Sequence, residues 1–254
     1  MTICRASIGV LMTKRYTLDD FARLFDHTNL QPDATDADMR TLCDEALENH
    51  FCMVAINSGQ SARCHAMLEG TDIHVGAAIG FPLGQTTIAS KTFETKDALA
   101  AGADEIDYVV NLTEVKEGNW AYVTEEMRSI VDVCREETER RGVLVPSKVI
   151  FENCLLTRDE KLKLCEIARE VEPTFVKTST GFSTGGATVD DVRLMRENVG
   201  PNVKVKAAGK IRDAETMLAM VAAGAERIGA RASVAIMAEL RQRFAAEGLD
   251  YLEI

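Results

Sequence analysis

Lys177 and Lys206 each close an apolar run, in TFVKTST and VKVKAAG. A lysine there can do what no other side chain does. Its neutral amine condenses with a carbonyl to form a Schiff base, and the protonated imine is an electron sink. It lets a C–C bond break, or a proton leave, beside the former carbonyl carbon. Protonation is the obstacle: at an unperturbed pKa of about 10.4, roughly one amine in 2,500 is free at pH 7. Desolvation and a neighbouring cation both lower that value. Lys177 has the apolar approach, and Lys206 is the candidate cation. Asp107, inside EIDYVV, is placed to relay protons while a carbinolamine forms and collapses. The plain alternative is that each of these is a solvated strand end.

The elements that must position these residues read as an alternation. Short apolar runs fall at residues 22–26, 51–57, 73–81, 105–111, 147–152, 174–177, 203–207 and 226–229. Helix-like segments lie between them, near 36–49, 59–69, 88–101, 119–141, 158–171, 188–198, 213–223 and 232–246. Thr35 with Asp38, Thr157 with Glu160 and Thr188 with Asp191 carry helix-start signals. CMVAI, HVGAAIG and KVIF are apolar on both faces, as strands of a covered parallel sheet are. Eight strand–helix units predict an α/β protein, a (β/α)8 TIM barrel in one domain over residues 21–254, behind an N-terminal extension over 1–20. A doubly wound sheet is the other arrangement, but DHTNL stands where its glycine-rich fingerprint would be.

In a barrel the chemistry sits at the carboxyl ends of the strands. Asp26, Asn57, Asp107, Glu152, Lys177, Lys206 and the Gly229 turn all fall late in their runs. The loops TGFSTGG, AAGKIR and IGARAS follow the last three strands. Their backbone N–H groups suit a phosphate, although each glycine would also serve a tight turn.

The 254 residues carry a net charge of −11, which argues against nucleic acid or an anionic membrane as partner. No apolar run reaches the ~20 residues of a membrane span. The seven cysteines are scattered through apolar segments, as in a reducing compartment, and the expected location is cytoplasmic. The four histidines, at 27, 50, 65 and 74, show no metal-ligand spacing, so neither metal nor cofactor is expected.

DHTNL (26–30), IGFPLGQTT (79–87), GADEID (102–107), VKTSTGF (176–182), VKAAGKIR (205–212) and RIGARAS (227–233) occur in this order. Together they resemble the 2-deoxyribose-5-phosphate aldolase family, class I aldolases on a TIM barrel. The resemblance spans about residues 20–235. It implies that Lys177 carries the Schiff base, that Lys206 depresses its pKa and that Asp107 relays protons. It implies that Asp26 and Thr28 hold the sugar end. Thr180, Gly181, Gly209, Lys210, Arg212, Gly229 and Arg231 fall in the substrate and phosphate loops. The expected partners are then a sugar phosphate and an aldehyde, with a homodimer left open. The chain departs from the pattern at Ala55, where a cysteine is often found, and in the phosphate grip. There Lys210 replaces a glycine, and Arg231 and Ala232 replace small hydroxyl residues.

Competing readings remain at this level. One is a Schiff-base aldolase for another phosphorylated or carboxylated acceptor. Others are a barrel isomerase or synthase with a carboxylate base, and a non-catalytic binding barrel.

Overall fold

The computed structural model describes residues 13–254. Ten strands follow in chain order: β1 (Arg15–Tyr16), β2 (Phe25–Thr28), β3 (Met53–Asn57), β4 (His74–Ile79), β5 (Glu105–Val109), β6 (Ser147–Ile150), β7 (Phe175–Lys177), β8 (Lys204–Ala208), β9 (Arg227–Ala230) and β10 (Leu252–Glu253). Strands β2 to β9 close into a barrel in sequence order, and every barrel pairing is parallel. Helices connect successive strands, as the short crossovers of a TIM barrel require.

The helix starts follow from their caps. Thr35 and Thr157 form reciprocal capping boxes with Asp38 and Glu160, and the Thr188 hydroxyl accepts from the Asp191 N–H. Each satisfies amide groups that the first turn leaves without partners.

Strand register sorts the side chains. Asp107 pairs with Lys148, Ile150 with Lys177, Lys177 with Lys206, and Lys206 with Arg227. Paired residues face the same side of a sheet, so these side chains share the barrel interior. The alternate residues Phe25, Val54, Ile56, Ile106, Tyr108, Val149, Val176, Val205 and Ile228 belong to the apolar core under the helices. That core lies outside the barrel, while the interior holds the ions, with small residues and a few larger apolar ones such as Met53 and Ile150. The two-sided apolar strands expected from CMVAI and HVGAAIG are therefore asymmetric in size. Their inward positions include Ala55, Gly76 and Ala78, and Met53 fills the space that a side chain at Gly76 would need.

Two boundaries shift from expectation. The apolar run at 22–26 is split, because the helix Leu18–Ala22 takes its first residue and β2 starts at Phe25. The extension expected over 1–20 does not stand apart where it is described. β1 pairs antiparallel with β10, Tyr16 is buried and its ring stacks on Phe21 at 5.1 Å. Residues 1–12 lie outside the described residues.

A fully buried ion pair lies within the helical layer. The fully buried Lys91 ammonium donates to the Val109 carbonyl at 2.6 Å and to Glu126 at 2.7 Å. Glu126 also accepts the Asn111 N–H at 2.9 Å. The trio ties the helix Ile88–Ala100, the end of β5 and the helix Trp120–Arg141 together. Lys91→Met leaves a buried carboxylate without its cation. The expected loss is about 3–5 kcal/mol, read as a lower urea midpoint in equilibrium unfolding.

Candidate active site

The site grows from a single carboxylate. Asp107 projects inward from the middle of β5 and is almost fully buried. Its Oδ2 accepts from the Lys177 ammonium at 2.8 Å and from the Lys206 ammonium at 2.7 Å. Its Oδ1 accepts from Lys148 at 2.6 Å. Burial alone would raise this carboxyl. Lys148, Lys177 and Lys206 outweigh it and hold Asp107 well below the usual carboxylate range.

Lys177 departs from Lys148 and Arg227, which are both held above their usual values. Burial lowers it first; Asp107 opposes that, and the charges of Lys206 and Lys148 add to it, leaving it down at about 8. Asp107 cannot restore the usual lysine value because it is shared with two other ammonium groups. Near pH 7 about one Lys177 amine in ten is then neutral, against roughly one in thousands for a free lysine. Lys148 is held above its usual value: burial would lower it, but Asp107, Glu105 and Asp26 prevail. Four buried cations (Lys148, Lys177, Lys206, Arg227) thus face three buried carboxylates (Asp26, Glu105, Asp107). The set balances when Lys177 is neutral.

A cavity of about 490 Å³ opens above Lys177 at the carboxyl ends of the strands. Of the residues singled out from sequence, Thr28, Lys177, Thr180, Gly181, Gly209, Lys210, Arg212, Gly229 and Arg231 line it. Lys206 and Asp107 lie directly beneath, joined to Lys177 through the shared oxygen. Asp26 is not placed to hold a substrate. It is the second residue of β2, fully buried, and it ion-pairs with Lys206 and with Arg227, the latter at 2.7 Å. A lining position on β2 comes two residues later, at Thr28, because inward positions recur every second residue.

The loops above are set by close backbone approaches. Gly209 has φ 85° and lies against Gly181 and Gly186, and a side chain at Gly186 would collide with the Gly209 carbonyl. Gly229 leaves room for the Lys206 stem. The Thr180 hydroxyl donates to the buried Glu152 and accepts the Phe182 N–H at 3.0 Å, which holds the TGF turn against the rim. Lys210 occupies the left-handed region at φ 61°, and its ammonium donates to the Thr184 carbonyl. Arg231 lies between the main cavity and a smaller one lined by His27, Asn29, Asp38 and Glu45.

Sequence reasoning passed over Lys148, Glu105 and Arg227. Each carried a usable signal: a charge inside an apolar strand, in SKVIF, DEIDY and ERIGA.

Comparison with known proteins agrees with this geometry. The family model described as "DeoC/LacD family aldolase" matches residues 21–246. The chain belongs to the DeoC/LacD aldolase family. It is 57% identical to a deoxyribose-phosphate aldolase of Lactobacillus acidophilus over 94% of this chain and 99% of that one. It is 50% identical to one of Alkaliphilus oremlandii, over 86% and 95% respectively. A solved deoxyribose phosphate aldolase from Aeropyrum pernix, described as a tetramer, superposes with a TM-score of 0.80 at 29% identity, covering 89% of this chain and 93% of that one. Among the described residues no group of three or more His, Cys, Asp or Glu is arranged to hold a metal ion, and no helix is long and apolar enough to cross a membrane.

For this aldolase-family chain, two measurements follow from the shared carboxylate. Condensation of Lys177 with a small aldehyde should quicken about tenfold per pH unit below about 8, and level off above it. Only the neutral amine attacks, so the rate follows its deprotonation. Lys206→Leu removes a cation and frees Asp107 for Lys177. Both effects favour the ammonium form, so the midpoint should move to higher pH. An unmoved midpoint would separate Lys206 from the tuning of Lys177.

Proposed function

We propose that the chain reversibly cleaves 2-deoxy-D-ribose 5-phosphate to D-glyceraldehyde 3-phosphate and acetaldehyde, as an aldehyde-lyase acting through a Schiff base on Lys177. The observation that carries this reading is the buried Lys177 amine, lowered to about 8, at the floor of the cavity and hydrogen-bonded to a carboxylate that Lys206 shares.

The neutral amine adds to the aldehyde carbon of the open-chain sugar. Asp107, held as a carboxylate, accepts and returns protons as the carbinolamine forms and loses water. The protonated imine then draws electrons as the C3 hydroxyl gives up its proton and the C2–C3 bond breaks. Glyceraldehyde 3-phosphate leaves. The enamine takes a proton at C2, and hydrolysis of the imine frees acetaldehyde and Lys177. In this scheme Lys206 keeps the amine partly neutral, and Thr28 meets the sugar hydroxyls. The glycine turns at Gly181, Gly209 and Gly229, with Thr180 and Arg212, face the phosphate. No cofactor enters, because the imine itself is the electron sink. The net charge of −11 and the cysteines scattered through apolar segments support a cytoplasmic location. A homodimer is a further proposal, for light scattering to decide.

Arg231 and Lys210 favour a second reading, an acceptor whose anionic end differs from that of deoxyribose phosphate. Both line the cavity at positions where the family pattern has small residues. Arg231 is the stronger candidate, since its planar fork makes paired bonds to phosphate or carboxylate, while the Lys210 ammonium already meets Thr184.

Borohydride reduction in the presence of acetaldehyde should leave one two-carbon adduct, on the peptide carrying Lys177. Lys177→Ala and Lys177→Arg should both abolish it, since a guanidinium stays protonated. An adduct that persists in Lys177→Ala would end the assignment, and a carboxylate-base isomerase would form none. Asp107→Asn should lower kcat far more than it changes KM.

Arg231→Ser tests the tail. If Arg231 grips it, KM for deoxyribose 5-phosphate rises about tenfold, the worth of one charge-assisted bond of roughly 1.5 kcal/mol or more. Cleavage of unphosphorylated deoxyribose stays nearly unchanged. Faster turnover of deoxyribose 5-phosphate would point to the second reading.

A further inference from the structure

Beneath Asp107 the ion network continues to the opposite end of the barrel. Lys148, bound to Asp107 Oδ1, also pairs with Glu105 Oε2 at 2.6 Å. Glu105 Oε1 meets His74 Nδ1 at 2.6 Å and Arg227 at 2.9 Å. Glu105 is fully buried, whereas His74 is partly exposed at the first residue of β4. It lines a cavity of about 420 Å³ at the amino ends of the strands, with Lys14, Lys204, Glu226 and Arg227 around it. An unbroken series of ion pairs, Lys177–Asp107–Lys148–Glu105–His74, therefore joins the candidate nucleophile to solvent on the far face, with no link longer than 2.8 Å.

We infer that His74 is a positioning residue for Lys177: its charge, presented to Glu105, settles how the buried carboxylates are divided among the lysines and so how readily Lys177 gives up its proton. The inference rests on the Schiff-base reading of Lys177 and deepens it.

The physical argument is one of sharing. Glu105 has three partners: Lys148, Arg227 and His74. When the His74 charge is absent, Glu105 acts more strongly on Lys148. Lys148 then gives less of itself to Asp107. Asp107, less neutralised, holds the Lys177 proton more tightly, and fewer amines are free. Charge on His74 thus favours the neutral nucleophile. His74 is suited to carry that charge. The Glu105 hydrogen bond raises its pKa, burial opposes this, Asp104 adds to the rise and Arg227 opposes it. Lys14, Lys204 and Glu226 face the same cavity and stay constant when His74 alone is changed.

The test compares the wild type with His74→Gln, neutral but able to hydrogen-bond, and His74→Arg, charged at every pH. The readout is the rate at which fluorodinitrobenzene modifies Lys177, followed by peptide mass spectrometry from pH 6 to 10. The expected midpoint in the wild type is near 8. In His74→Gln it should rise by about half a unit to one unit, with modification at pH 7 roughly three- to tenfold slower. His74→Arg should match or exceed the wild-type rate at pH 7. Coincident midpoints in all three proteins would overturn the inference. So would equal slowing in both variants, which would mark a packing role. Acetaldehyde–borohydride trapping runs in parallel. If the wild type gives no adduct, the aldolase reading fails, while the labelling midpoints still decide the role of His74.

Discussion

One buried carboxylate with too many cations is the constraint on which the rest depends. Asp107 accepts from three lysine ammonium groups through two oxygen atoms. Desolvating an ion costs several kcal/mol unless its partners compensate. Lys148 and Lys206 are compensated further by Glu105 and Asp26. Among the described residues the only carboxylate paired with Lys177 is Asp107, so Lys177 is the group that can discharge at least cost. An amine that is neutral for part of the time is what carbonyl chemistry requires, and here it emerges from the division of charge.

This arrangement explains where the protein keeps its apolar core. Barrel interiors are commonly filled by branched aliphatic side chains. In this chain the inward positions are given to ions, with Met53, Ala55 and Ala78 beside them. Stability has to come from elsewhere. It comes from the outward faces of the strands packed under the helices, a continuous apolar layer from Phe25 to Ile228 and beyond. The two functions occupy opposite faces of the same strands, separated by the two-residue period of the pleat.

The cavity mouth follows a different logic from the floor. On the floor every ionic group has a buried partner. The rim is made of turns whose glycines pack backbone on backbone, with Lys210, Arg212 and Arg231 around them. In a chain of net charge −11, three cations at one opening form a local field of the opposite sign. Floor and rim are therefore built differently, buried ion pairs below and glycine turns with three cations above.

The sequence by itself determined the barrel and singled out a candidate nucleophile. Eight apolar runs separated by capped helical segments leave few topologies open, and a lysine in an apolar strand is legible at Lys177 and Lys206 as a cost that needs a use. The same signal was present at Lys148, Glu105 and Arg227. Yet nothing local says which charges will share a partner. Lys177 and Lys206 lie 29 positions apart and Asp107 lies 99 positions from Lys206, so their meeting depends on barrel closure and strand register. Register also sets Asp26 on the floor and Thr28 at the rim, since inward positions recur every second residue and Asp26 lies one such step deeper along β2. The tethering of Tyr16 was likewise invisible locally, because β1 finds its partner in β10 at the far end of the chain. Residue type and spacing carry the capacity for chemistry; the pKa that makes the chemistry run is a property of distances that only the closed barrel sets.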